Sequence, residues 1–193
     1  MKRFACIQIP GPLLHRQKAV RYLWESFDSI NILTMFQKIT VLVTGMLLIL
    51  VTGLFWGTWF SLSRTMEGLS AETFLAIGKE IIANVAVPMS IILPASLLGL
   101  MILLARSWKK RSVYFFCMLV TLLLFIIALV ITVAVEVPMD NKIKTWEVST
   151  IPSEWTPIRD RWEYYHTMRT FVTLAGMAFF IVALMNRDNR TNT

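Results

Sequence analysis

The sequence predicts an all-α polytopic membrane protein: a four-helix transmembrane bundle with an N-terminal amphipathic or juxtamembrane helix. Three observations carry that expectation. Of 193 residues, 56% are hydrophobic and only 16% are charged, against roughly 25% charged in a soluble domain. The shortfall is concentrated in four long apolar runs, each long enough to cross a bilayer. The basic residues sit in short segments beside those runs, the pattern that orients membrane helices. Placed this way, the net charge of +7 argues for contact with the bilayer and against nucleic acid as a partner.

Residues 1–38 form a cytoplasmic N-terminal segment. Its start is basic, but Pro10, Pro12, His15, Arg16, Lys18 and Arg21 interrupt it before the apolar core of a cleavable signal assembles. Val20, Leu23, Trp24, Phe27, Ile30 and Leu33 then recur at helical spacing, with Arg21, Glu25 and Asp28 between them. Two readings fit: an amphipathic helix on the inner surface, or a cytoplasmic extension of the first span.

The four-span domain covers residues 39–185. The first span, 39–62, carries no charge. Gly53 and Gly57 form a GxxxG spacing, read as packing within the bundle, and Trp56, Trp59 and Phe60 form an interfacial aromatic cuff. Gly68 suits a helix stop and Ser70 an N-cap, with Glu72 in the first turn. The second span, 81–105, contains Pro88 and Pro94. These free the carbonyls of Asn84 and Ser90, which predicts a kink toward the bundle interior.

Residues 106–112, RSWKKRS, make a basic turn. The third span, 113–135, ends at Glu136, and Pro138 is expected to stop the helix. Residues 139–156 read as a loop. Thr156 and Pro157 read as N-cap and N1 of the last helix, which is too long for the hydrocarbon core. Its first turns therefore stand at the membrane surface, and its embedded part is 168–185. Residues 186–193 are a tail.

Lys and Arg gather in the N-terminal segment, the 106–112 turn and the tail, while the other two loops mix their charges and lean acidic. The positive-inside rule then places both termini in the cytoplasm and the protein in the cytoplasmic (inner) membrane. Cys6 and Cys117 are expected to be free thiols.

Polar groups converge at the outer ends of three spans. Arg159, Trp162, His166 and Arg169 are spaced 3, 4 and 3 apart and share one helix face. Arg161 and Tyr165 lie on another. Asn84 lies about a turn inside the second span, Glu136 ends the third, and Asn141 follows it. Polar residues within spans usually face the interior or a cavity. The competing reading makes Trp162, Tyr164 and Tyr165 interface anchors and Arg169 a snorkelling cation. No histidine–carboxylate cluster has metal or haem ligand spacing, and there is neither a nucleotide-binding glycine motif nor a nucleophile elbow.

The order TGLFWGTW, AETFLAIGKEIIANVAVP, VPMDNKIKTW and WTPIRDRWEYYHTMRT resembles the small four-span membrane proteins grouped with fungal anthrone oxygenases. The likeness covers roughly residues 40–185. Its most specific part is the series Pro138, Asn141, Trp146, Trp155, Arg161, Trp162, His166 and Arg169; Asn84 with Pro88 is the second match. The N-terminal segment lies outside it, and GKEIIAN replaces a more usual glutamine-rich approach to the asparagine.

The resemblance implies oxygenation of a lipophilic phenolic, such as an anthrone, without metal, flavin or other cofactor. A base removes an acidic proton, and the electron-rich anion reacts with oxygen. The implied roles are His166 as base, Arg169 and Asn84 as anion stabilisers, and Glu136 orienting His166 or Arg169. Trp162 is a pocket wall, and Asn141, Trp155 and Arg161 are further substrate contacts. The competing class is a non-catalytic membrane subunit or lipophile-binding protein, with a membrane-protein partner or a second copy of the chain.

Overall fold

Four helices of the computed structural model are long and apolar enough to cross a membrane, and no strand occurs among the described residues. The backbone is described for residues 11–66 and 68–187, and the side chains for residues 34–187 apart from 64, 67 and 110. The chain is a multi-pass membrane protein. Helix α1 is Gly11–Thr58, α2 is Ala71–Ser107, α3 is Val113–Ile131, α4 is Val137–Lys144 and α5 is Trp155–Met185. Two compact units are present, Met1–Thr40 and Val41–Thr193. The described backbone of the first is helical; the predicted apolar face at 20–33 lies outside the described side chains.

In the second unit the core runs through all four spans, with Leu48, Leu93, Leu100, Met118, Phe125 and Phe180 almost fully buried. Leu42, Ile49, Leu98, Val130 and Phe179 are exposed along the same helices. Apolar side chains outside as well as inside suit a lipid solvent. α3 and α5 form the most extensive pair. They approach closely at Gly176, where a Cβ would stand 2.8 Å from Phe125, and the Thr121 hydroxyl donates to the Gly176 carbonyl at 3.2 Å. At Gly99 of α2, the Thr44 side chain fills the place of a Cβ. The predicted packing pair is different: a Cβ on Gly53 or Gly57 would meet nothing within 4 Å. These two glycines lie on the outer surface, so the GxxxG spacing is not a contact within the bundle.

Local signals near the helix ends hold in part. Ser70 caps α2 by accepting from the Thr73 backbone N–H at 3.3 Å. α2 remains helical across Pro88 and Pro94, and Ser90 turns its hydroxyl onto the Val87 carbonyl at 2.7 Å. The Trp56, Trp59 and Phe60 cuff exists and gains Phe171 of α5, 5.1 Å from Trp59.

Pro138 does not stop the third span. Residues Thr132–Glu136 form a π turn and the chain runs on as α4 to Lys144. Pro138 has no N–H for the Ala134 carbonyl and its ring presses on it. A turn widened by one residue, with the Val137 N–H bonded to the Thr132 carbonyl, relieves that crowding. The expected loop at 139–156 is correspondingly shorter, and includes a 3-10 turn at Val148–Thr150. α4, the start of α2 and the start of α5 close this end of the bundle over a second cluster, which includes Phe74, Ile143, Trp146 and Trp162.

Candidate functional site

Arg169 organises the site. It lies on α5 with its side chain 11% exposed, and its Nη2 is 3.3 Å from Glu136 Oε2. Nη2 also reaches His166 Nδ1 at 2.9 Å, with Nε at 3.3 Å. Nη1 donates to the Thr132 hydroxyl at 3.3 Å, which itself donates to the Ala128 carbonyl at 2.8 Å. The guanidinium carbon stands 4.5 Å from the centre of the Phe55 ring on α1, a cation–π distance. A guanidinium has no acceptor, so His166 Nδ1 accepts and the imidazole is neutral, with its proton on Nε2. That Nε2 is buried with no hydrogen-bond partner among the described residues, as are both Glu136 oxygens, whose contact with Arg169 is ionic and poorly aligned.

The π turn explains Glu136. It adds one residue ahead of α4 and brings the carboxylate inward, leaving Glu136 1% exposed. Such turns recur at functional sites. His166 is equally buried, sandwiched by the Trp162 ring at 5.4 Å and nearly parallel, and by the Phe55 ring edge-on at 6.2 Å. The Thr170 hydroxyl, a turn further along α5, bonds the His166 and Phe55 carbonyls. This joins α5 to α1 at the same level.

Beside this cluster is a cavity of about 300 Å³. Its walls are mostly apolar: Phe55, Ile82, Val85, Met89, Leu93 and Leu129 are among them, and Thr132, Asp140, Trp162 and Arg169 supply the polar end. The Trp162 indole N–H donates to Asp140 Oδ1 at 3.1 Å. Asp140 and Arg169 make no ion pair with each other among the described residues. Ala86, Ser90, Pro94, Val133 and Val137 also line the cavity and are exposed, so it opens sideways between α2 and the α3–α4 segment, on the outer surface of the bundle. A larger, more open groove of about 530 Å³ lies between Trp59, Ser63, Arg159 and Tyr164.

The structure therefore brings together Glu136, Trp162, His166 and Arg169 of the residues expected from sequence. It does not bring the others to them. Asn84 is exposed on α2, although its neighbours Val85 and Ala86 line the cavity. Asn141 is exposed, turned away by the one residue that separates it from Asp140. Trp155 packs on Phe74 at 5.4 Å in the end cluster, under Arg159 at 5.2 Å. Arg161 is exposed and lies over Tyr165. Arg159 shares the buried face of α5 as the spacing predicts, but it pairs with Asp160 at 2.8 Å and lies beside the other groove.

Sequence reasoning missed Asp140, Thr132 and Phe55. Asp140 had a signal: it is four residues past Glu136 and so shares its helix face. Thr132 and Phe55 had none, because their roles arise across helices. No group of three or more His, Cys, Asp or Glu among the described residues is arranged to hold a metal ion.

A family model described as anthrone oxygenase matches residues 79–179, more than half of the chain and every wall residue of the cavity except Phe55. No curated protein and no solved structure matches the chain.

Proposed function

The chain belongs to the anthrone oxygenase family, and on that premise we propose that it is a membrane-embedded, cofactor-independent oxygenase of a lipophilic phenolic or anthrone-like compound. The observation that carries the reading is the cavity: apolar walls open toward lipid, and a single guanidinium, Arg169, stands at the polar end. Such a shape takes a flat aromatic out of the bilayer and offers a positive charge where negative charge develops.

In an anthrone the acidic C–H is conjugated to the ring carbonyl. Loss of the proton moves the electron pair onto the carbonyl oxygen, where Arg169 stabilises it. Dioxygen then adds at the former C–H carbon. The resulting hydroperoxide loses water, so that one oxygen atom becomes the new quinone carbonyl and the other leaves as water. Glu136, His166, Thr132 and Phe55 hold Arg169 in place, and Trp162 is a wall of the cavity. His166 does not line the cavity and its Nδ1 is occupied by Arg169. In this proposal His166 supports Arg169 and is not the base. Asn84, Asn141, Trp155 and Arg161 have no part in this chemistry.

The acidic lean of the loops at the site end and the basic 106–112 turn at the other support an orientation with the site outside and both termini in the cytoplasm. The test is direct. Purified protein in lipid nanodiscs receives anthrone under labelled dioxygen. The expected result is quinone carrying one labelled oxygen, formed faster than in protein-free nanodiscs. Anthrone that binds and is not converted would favour the lipophile-binding class instead, and neither binding nor conversion would remove the reading.

A further inference from the structure

The oxygenase reading needs a base, and the expected one, His166, is sealed behind Arg169. We propose that Asp140 is the catalytic base. The proposal rests on that reading and identifies the group that starts the reaction.

Among the described residues, Glu136 and His166 contact Arg169, and Asp140 lines the cavity beside it. Glu136 and His166 are each 1% exposed and neither lines the cavity. Asp140 is only half-buried and is part of the wall. Its Oδ1 is fixed by the Trp162 indole N–H, while Oδ2 accepts no hydrogen bond from the described residues and is not among the buried, unpartnered atoms. One oxygen is thus held and the other is open, which is the arrangement of a positioned general base.

Arg169 makes its ion pair with Glu136, and none with Asp140 among the described residues. Lys144, one turn further along α4, is exposed. Trp162, bonded to Asp140 and stacked on the imidazole that holds Arg169, lies on the wall that carries both charged groups. An anion and a cation that line one cavity without pairing suit a substrate that surrenders a proton at one atom and collects charge at another. Asp140 Oδ2 takes the C–H proton, and the electron pair passes through the ring system to the carbonyl oxygen at Arg169. After dioxygen has added, the carboxylic acid returns its proton to the peroxide, which restores the carboxylate; the carboxylate then removes the remaining C–H proton as the O–O bond breaks, and passes it to the departing hydroxide, which leaves as water.

The proton step is separable from the oxygen step. Under nitrogen, in D2O, the protein reconstituted in nanodiscs is expected to speed exchange of the acidic C–H of anthrone for deuterium, read by mass spectrometry. Asp140→Asn is expected to bind anthrone, read by quenching of tryptophan fluorescence, while exchange and aerobic turnover fall roughly 100-fold or more. Asp140→Glu keeps the charge but misplaces it by about a bond length, and is expected to retain exchange reduced by about 10-fold or more. Wild-type exchange in either folded variant overturns the assignment, so the test stands even where only one of them folds. If the wild-type protein itself neither exchanges nor oxidises anthrone, the oxygenase reading fails and Asp140 falls with it. If the wild-type protein does both and the variants match it, Asp140 alone is rejected.

Discussion

At the scale of single residues, Arg169 carries a charge that the bundle would not hold without its partners. Removing one member of a buried ion pair typically costs about 3–5 kcal/mol, because the other charge is stranded. Glu136→Ala is therefore expected to lower stability in detergent by an amount of that order, read as a lower thermal unfolding midpoint. Replacing both members, Glu136→Gln with Arg169→Met, is expected to recover most of that stability, since a buried pair can be exchanged for neutral groups at little cost. The same double variant loses the anion site, and its anthrone turnover is expected to drop on the order of 100-fold. Recovered stability with retained turnover would show that Arg169 is structural only. The spacing of His166 and Arg169 along one helix face was readable beforehand. That the imidazole would accept from the guanidinium, and so be unable to serve as a base, was not, because it depends on side-chain direction and on Glu136 arriving from another helix.

At the scale of elements, the decisive feature is the π turn ahead of Pro138. A proline in the sequence announces a disturbed helix, but either a stop or a widened turn satisfies its missing N–H. Packing chose the widened turn, since α4 continues into the cluster with Ile143 and Trp146. Pro138→Ala gives the Ala134 carbonyl its donor back. A regular helix there turns Glu136 by roughly 100° about the axis, one residue's share of a turn. Its expected result is reduced stability and weaker anthrone binding, with the helical content by circular dichroism unchanged. The glycines provide a paired control. Gly176→Ala drives a methyl into Phe125 and is expected to cost about 1–3 kcal/mol, read as a lower unfolding midpoint. Gly53→Ala meets no neighbour and is expected to leave that midpoint unchanged or raise it. Equal losses from the two would contradict the packing described. The periodicity of glycine in the chain marked the wrong pair, because small residues at helical spacing show that close approach is allowed and say nothing of which face a partner helix occupies.

At the scale of the whole molecule, the cavity lies between the later turns of the third span and the earlier turns of the second, and the 106–112 turn joins the opposite ends of those two spans. Single cysteines at Lys109 and Lys142, both exposed, introduced after replacing Cys6 and Cys117, test the orientation. A membrane-impermeant maleimide is expected to label position 142 on intact cells and position 109 only after permeabilisation. The opposite pattern inverts the protein. What the sequence by itself determined is the class and the strata: four apolar helices, the Ser70 cap, and the face of α5 that carries Arg159, Trp162, His166 and Arg169. Those properties follow from local composition and from the 3.6-residue period of one helix, which any stretch of chain displays without reference to another. Only the tertiary structure decided which polar groups meet. Rotation of α2 turned Asn84 outward, the π turn turned Glu136 inward, and the crossing of α4 with α5 set Asp140 against Trp162 beside the cavity. The physical reason is that lipid tolerates apolar side chains on every face, so hydrophobic patterning hardly specifies how each helix is rotated about its axis, and side-chain packing and buried polar contacts settle it instead.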